Sequence, residues 1–229
     1  MHTAFQGFAD RTDAAEQLVD CLQEYRGSNP LILAIPRGAV PMGRIIAERL
    51  GGELDVVLVR KLGAPNNPEY AIGAIDESGN TTLNPDVDES DLDPASLAAE
   101  QRLQMEVMRK RRSTYMPHRP AISAQGRIVL VVDDGIATGS TMIAALKAVR
   151  LQNPETLICV TPVAPPDSIR AVTPFADAVV CLLTEPDFRA VSQFYRDFRA
   201  VDDTEVAAIL QQSAHTKQSS QADNSERTL

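Results

Sequence analysis

The stretch Arg127–Thr141, RIVLVVDDGIATGST, decides how the rest of the chain is read. Ile128–Val132 is an apolar run rich in β-branched residues, bounded by a charged residue before it and an acidic pair after it. That pattern suits a strand buried on both faces of a parallel sheet, and it predicts that the strand stops at Asp133-Asp134. GIATGST then makes a turn of small residues carrying Gly135 and Gly139. The following MIAALKAVR places Met142, Ala145, Leu146 and Val149 on one face of an amphipathic helix. The order is strand, carboxylates, small-residue turn, helix start.

Unpaired backbone N–H groups at a helix start, assisted by the helix dipole, form a site for a phosphate group. Thr138, Ser140 and Thr141 add hydroxyls. The lysine of a G-x-x-x-x-G-K-[ST] loop is missing and the acids precede the turn, which speaks against a nucleotide kinase or other P-loop protein. Two carboxylates one turn from a phosphate are placed to accept hydrogen bonds from vicinal hydroxyls and to lie near a metal ion. A phosphate with a diol beside it describes a ribose 5-phosphate.

In this run the chain resembles the type I phosphoribosyltransferases. Their phosphoribosyl pyrophosphate (PRPP) signature is four or five apolar residues, two acids, three variable residues and then T-G-[ST]-T, and VLVVDDGIATGST follows it throughout. The resemblance implies that Asp133 and Asp134 bind the ribose hydroxyls and that Ala137, Thr138, Gly139, Ser140 and Thr141 bind the 5-phosphate. The turn Pro36-Arg37-Gly38-Ala39, at the end of a short apolar strand LILAI, matches the family's pyrophosphate loop through Arg37 and Gly38. Arg60 and Lys61, where the strand DVVLV ends, match a basic position that contacts pyrophosphate, with Lys61 the first candidate and a catalytic partner of the two acids. The family's base-binding hood comes from terminal segments, which draws attention to Phe188 and Tyr195 in the aromatic stretch after Glu185.

Bulk properties agree. A chain of 229 residues with 44% hydrophobic content can bury a full core. A formal charge of -9 and a pI near 4.8 disfavour nucleic acid as a partner. Cys21, Cys159 and Cys181 are odd in number and far apart, and they read as buried free thiols in a reducing cytoplasm. His2, His118 and His215 form no ligand spacing with them. No apolar run approaches a membrane span, and the early charges Asp10, Arg11 and Asp13 leave no room for a signal segment.

Along the chain, Phe5 and Phe8 are expected to dock on the domain. Asp10 caps a helix running to about Tyr25, with Ala14, Leu18, Cys21 and Leu22 on its buried face. Pro41 opens a second helix, which Gly51-Gly52 closes. YAIGAID and TTLN flank Glu77-Ser78-Gly79-Asn80 as hairpin arms; in the family this region closes over the reactants. Asp93 and Pro94 start a long helix to about Met116 whose apolar stripe is thin, so it needs a partner surface, either an extension of the lid or a homodimer contact. The run Arg109-Lys110-Arg111-Arg112 reads as a solvated helix end.

The expected fold is α/β, a doubly wound, mostly parallel sheet of about five strands with a small hood and a hairpin lid. One domain spans 1–212, with a lid insertion at about 62–118, a hood segment at about 185–212 and a disordered polar tail over 213–229. The implied reaction moves ribose 5-phosphate from PRPP to a small nitrogenous base and releases pyrophosphate. Mg2+ would be held mainly by substrate oxygens near Asp133, with no dedicated protein cage. The alternative is a regulator that binds PRPP without useful transfer. Family members acting on 6-oxopurines place an aspartate where this chain has Ala137; adenine-specific relatives use an acid from the lid, for which Glu69, Asp76 and Glu77 are candidates.

Overall fold

A computed structural model describes residues 7–64, 67–84, 86–88, 92–117 and 119–213. Phe5, His118 and the tail from 214 onward lie outside them, as does the side chain of Glu69.

The main sheet holds β1 (Leu31–Ala34), β2 (Glu53–Val56), β6 (Ile128–Val132), β7 (Thr156–Ala164) and β8 (Ala178–Thr184), all parallel, in the order β2-β1-β6-β7-β8. Successive residues of β6 serve opposite faces. Leu130 and Val132 join a core with α1 (Arg11–Cys21) and α2 (Ala39–Leu50), while Val129 and Val131 join one with α4 (Ser140–Arg150) and α5 (Pro166–Val172). Burial on both faces is why this strand reads as a continuous apolar run. Strand order reverses between β1 and β6, so the loops leaving these two strands diverge and open a crevice at their carboxyl ends, where open α/β sheets receive ligands.

A second, antiparallel sheet consists of β3 (Val59–Ala64), β4 (Asn67–Asp76) and β5 (Thr81–Leu83). The expected hairpin is β4 and β5. Its turn has Gly79 at φ 88 and is capped by Asp76, whose carboxylate accepts from Ser78 N, Asn80 N and Asn80 Nδ2. The basic pair is not at the end of a parallel strand, as the sequence suggested. The β1–β2 ladder stops at Ala34 and Val56, because β1 runs into the Pro36 turn, and Arg60 and Lys61 fall inside β3.

The long helix α3 (Pro94–Tyr115), capped by Asp93 on Ser96 N, finds its partner within the chain by packing on β3 and β4. Arg112 corrects the reading of a solvated helix end. It is largely buried, pairs with Asp55 and Glu77 and donates to Val56 O, tying α3 to the end of β2 and to the β4–β5 turn. Cys21 is a second correction. It lies on the exposed side of α1, since Ala14, Ala15, Leu18 and Val19 fill the buried face. After β8 comes the 3₁₀ turn Val191–Phe194, and a helix α6 over 203–213 follows. Among the described residues no helix is long and apolar enough to cross a membrane.

Candidate functional site

Asp133 and Asp134 leave β6 at the crevice, and the chain then turns through Gly135–Gly139 into α4. Gly139, at φ 82, caps the helix in the left-handed region where glycine is favoured. The turn is held from behind: Ile136 N donates to Val163 O, and the Ser168 hydroxyl donates to Ala137 O. A cavity of about 150 Å³ opens in front of it, lined by Asp133, Thr138, Gly139, Ser140 and Thr141 among others. The first N–H groups of α4 have no intrahelical acceptors, so the cavity combines backbone donors, three hydroxyls and the positive end of a helix dipole.

Of the two acids, Asp133 lines this cavity and Asp134 does not. Burial and the neighbouring Asp134 charge push the Asp133 carboxyl well above the usual carboxylate range. Burial also raises Asp134, against the pull of Arg11. Arg11 reaches over from α1 with Nε at 2.8 Å and Nη2 at 2.7 Å from Asp134 Oδ2, Nη1 at 2.7 Å from Arg199 O, and its guanidinium 3.9 Å from the centre of the Phe198 ring. Opposite, the Pro36–Gly38 loop leaves β1. Gly38 packs so closely on Asp134 that a Cβ built on it would sit 1.9 Å from Asp134 Oδ2 and 3.0 Å from Arg11 Nη2. Arg37 Nη1 lies 3.8 Å from Asp203 Oδ2, which the Tyr115 hydroxyl also approaches through Oδ1.

The model of the Phosphoribosyl transferase domain matches residues 8–199. The chain belongs to the phosphoribosyltransferase family. Two Mycobacterium tuberculosis proteins, from strains H37Rv and CDC 1551 and provisionally named phosphoribosyl transferases, are each 41% identical over 204 residues, 89% of this chain and 46% of theirs. The chain thus spans about half the length of the curated relatives it matches. The crystal structure of TT1426 from Thermus thermophilus superposes with a TM-score of 0.80 at 42% identity, covering 90% of this chain and 98% of that one. The α/β architecture with its parallel sheet is therefore that of this phosphoribosyltransferase family.

Within that family frame, the acids, the 137–141 turn and the 37–38 loop surround one crevice, while the remaining candidates lie elsewhere. Alternation along β3 sends Arg60 towards α3, where its Nε donates to Gln104 Oε1 at 2.8 Å. Lys61 faces the other way and lines a separate cavity of about 270 Å³ with Thr82, Asn84, Ser140, Lys147 and Phe175. Ser140 lines both cavities, so Lys61 stands on the α4 side of the phosphate turn. Tyr195 does not offer a platform to a base. Only 5% of it is exposed, its ring lies between Phe8 and Phe198, and its hydroxyl donates to Asp134 O at 2.6 Å. Phe188 is half-buried against Phe194. The lid acids Asp76 and Glu77 are engaged by the hairpin turn and by Arg112. Sequence reading missed Arg11, whose contact with Asp134 spans 123 positions, and its only signal was a charged residue directly after a helix cap.

Proposed function

We propose that the protein transfers ribose 5-phosphate from PRPP to a small nitrogenous base and releases pyrophosphate. What carries this reading is the meeting, at the sheet's switch point, of a helix-start cavity with three hydroxyls, a carboxylate at its rim and a glycine loop pressed against Asp134. The 5-phosphate takes the α4 N-terminus and the hydroxyls of Thr138, Ser140 and Thr141. Asp133 accepts from the ribose hydroxyls, and the positive charge that develops at the anomeric carbon draws its raised pKa back down and favours its ionised form. The backbone of residues 37 and 38, with the Arg37 guanidinium, holds the diphosphate, and Lys61 approaches it when the β3–β5 sheet closes.

A magnesium ion suits this donor set. Asp133 supplies a hard carboxylate oxygen, and among the described residues no group of three or more His, Cys, Asp or Glu side chains is arranged to hold a metal ion, so substrate oxygens and water would complete its shell. When bound, the ion neutralises charge on the departing diphosphate. One observation favours a second reading, a PRPP-binding regulator: Arg11 already occupies Asp134, the second acid of the signature. The test is incubation of purified protein with PRPP, Mg2+ and a panel of purine and pyrimidine bases, read by mass spectrometry for a nucleoside monophosphate and pyrophosphate. A new nucleotide supports the transferase, tight PRPP binding by calorimetry without product supports the regulator, and failure to bind PRPP refutes both.

A further inference from the structure

We propose that Arg11 is a positioning residue that locks the acidic pair to the C-terminal segment 194–199, so that the sugar end of the site and the segment beside it are set as one unit. The functional consequence rests on the transferase reading; the lock itself does not.

Arg11 is aimed by its helix. Asp10 accepts from Thr12 N and Asp13 N, which fixes the first turn of α1 and leaves the next side chain pointing along the sheet's carboxyl edge. From there the guanidinium fork reaches separate stretches of chain: two N–H groups on Asp134 Oδ2, a third on Arg199 O, and its flat face over Phe198. The segment it grips is also clasped from both sides. Tyr195 donates to Asp134 O, Phe8 N donates to Phe194 O, and the N–H groups of Arg196 and Asp197 donate to Phe8 O and Ala9 O. Gly38 of the opposite loop rests on the same ion pair. One pair, with side chains only 11% and 15% exposed, therefore supports the loops of β1 and β6 and the C-terminal segment together. It also divides the two acids. Asp134 becomes an anchor, and Asp133 is left as the carboxylate that lines the cavity. A lysine at position 11 would keep the charge but lose the fork and the stacking face.

Hydrogen exchange read by mass spectrometry on the ligand-free full chain tests the lock. Arg11→Gln and Asp134→Asn should each speed exchange of the 194–199 amides about tenfold or more, and the double variant no further than the larger single effect, because the two act as one unit. Arg11→Lys should recover part of the protection. Additive effects, or unchanged exchange in folded variants, would overturn the proposal. If these variants fail to fold, Phe198→Leu, which removes only the stacking face, should speed exchange of the same amides less and in the same direction; no change there overturns it too. With ligands, Arg11→Gln should weaken PRPP about tenfold while inorganic phosphate binds the α4 cavity as in wild type, and equal losses for both would contradict positioning of the sugar end. A wild-type protein that binds no PRPP refutes the transferase and regulator readings but not the lock, which the exchange cycle still decides.

Discussion

Replacing Gly38 by alanine isolates the contact between the two loops of the crevice. The backbone there is at φ -60 and ψ -31, which any L residue adopts, so the substitution introduces no conformational strain of its own. The added methyl carbon, however, would lie 1.9 Å from Asp134 Oδ2 and 2.7 Å from Asp134 Cγ. Ordinarily a flexible carboxylate would swing aside, but this one is held by two charge-assisted bonds from Arg11, at 2.7 and 2.8 Å. Either those bonds break or the Pro36–Gly38 loop moves outward. Disrupting a largely buried ion pair costs about 3–5 kcal/mol when one partner is lost outright, and overpacking alone costs about 1–3 kcal/mol. Here the partners are displaced without being removed, so we expect about 2–4 kcal/mol, or a melting temperature lower by about 4–16 °C for a chain of this size. Differential scanning calorimetry measures the shift, and titration with PRPP should show a loss of affinity in the folded fraction. Combining Gly38→Ala with Asp134→Ala removes the obstructing carboxylate, so the double variant should be scarcely less stable than Asp134→Ala by itself. A Gly38→Ala protein that melts like wild type, or a double variant whose losses simply add, would refute the reasoning.

Arg112→Met should destabilise the protein by about 3–5 kcal/mol, because it leaves the Asp55 carboxylate buried opposite an apolar side chain; a melting curve within about 2 °C of wild type would contradict this. Of the three cysteines, Cys21 alone is exposed, burial pushes the Cys159 thiol up to about 12 and raises Cys181 as well, so a chromogenic disulfide at neutral pH should titrate one fast thiol in the native protein and three after denaturation. Three fast native thiols would contradict that burial. If the transferase reading holds, Ala137 has only a methyl group at the position where the resemblance implies an aspartate in 6-oxopurine enzymes, so turnover with guanine and hypoxanthine should trail the preferred base by about 10²–10⁴, the usual contribution of such assistance; robust turnover with either would place that assistance on another acid.

The resemblance at residues 128–141 and the spacing around it were enough to anticipate the α/β class, the parallel strands, the capped helices and the family. Those features rest on local order: β-branched runs that need two covered faces, a cap next to its helix, and a glycine turn next to the strand it follows. Tertiary structure alone decided which neighbours share a function. Lys61 and Arg60 are adjacent in sequence, yet strand alternation turns one towards the Ser140 cavity and the other towards Gln104 of α3. Asp133 and Asp134 look equivalent in the motif, yet one lines the cavity and the other is held by Arg11. Tyr195 was legible as an aromatic near the terminus but not as a ring enclosed by Phe8 and Phe198, and Arg112 was legible as a cation but not as the partner of Asp55, 57 positions away. Periodicity reports which face of an element is buried. Which distant charge meets it there is set by how the elements cross, and that information resides in the packed fold.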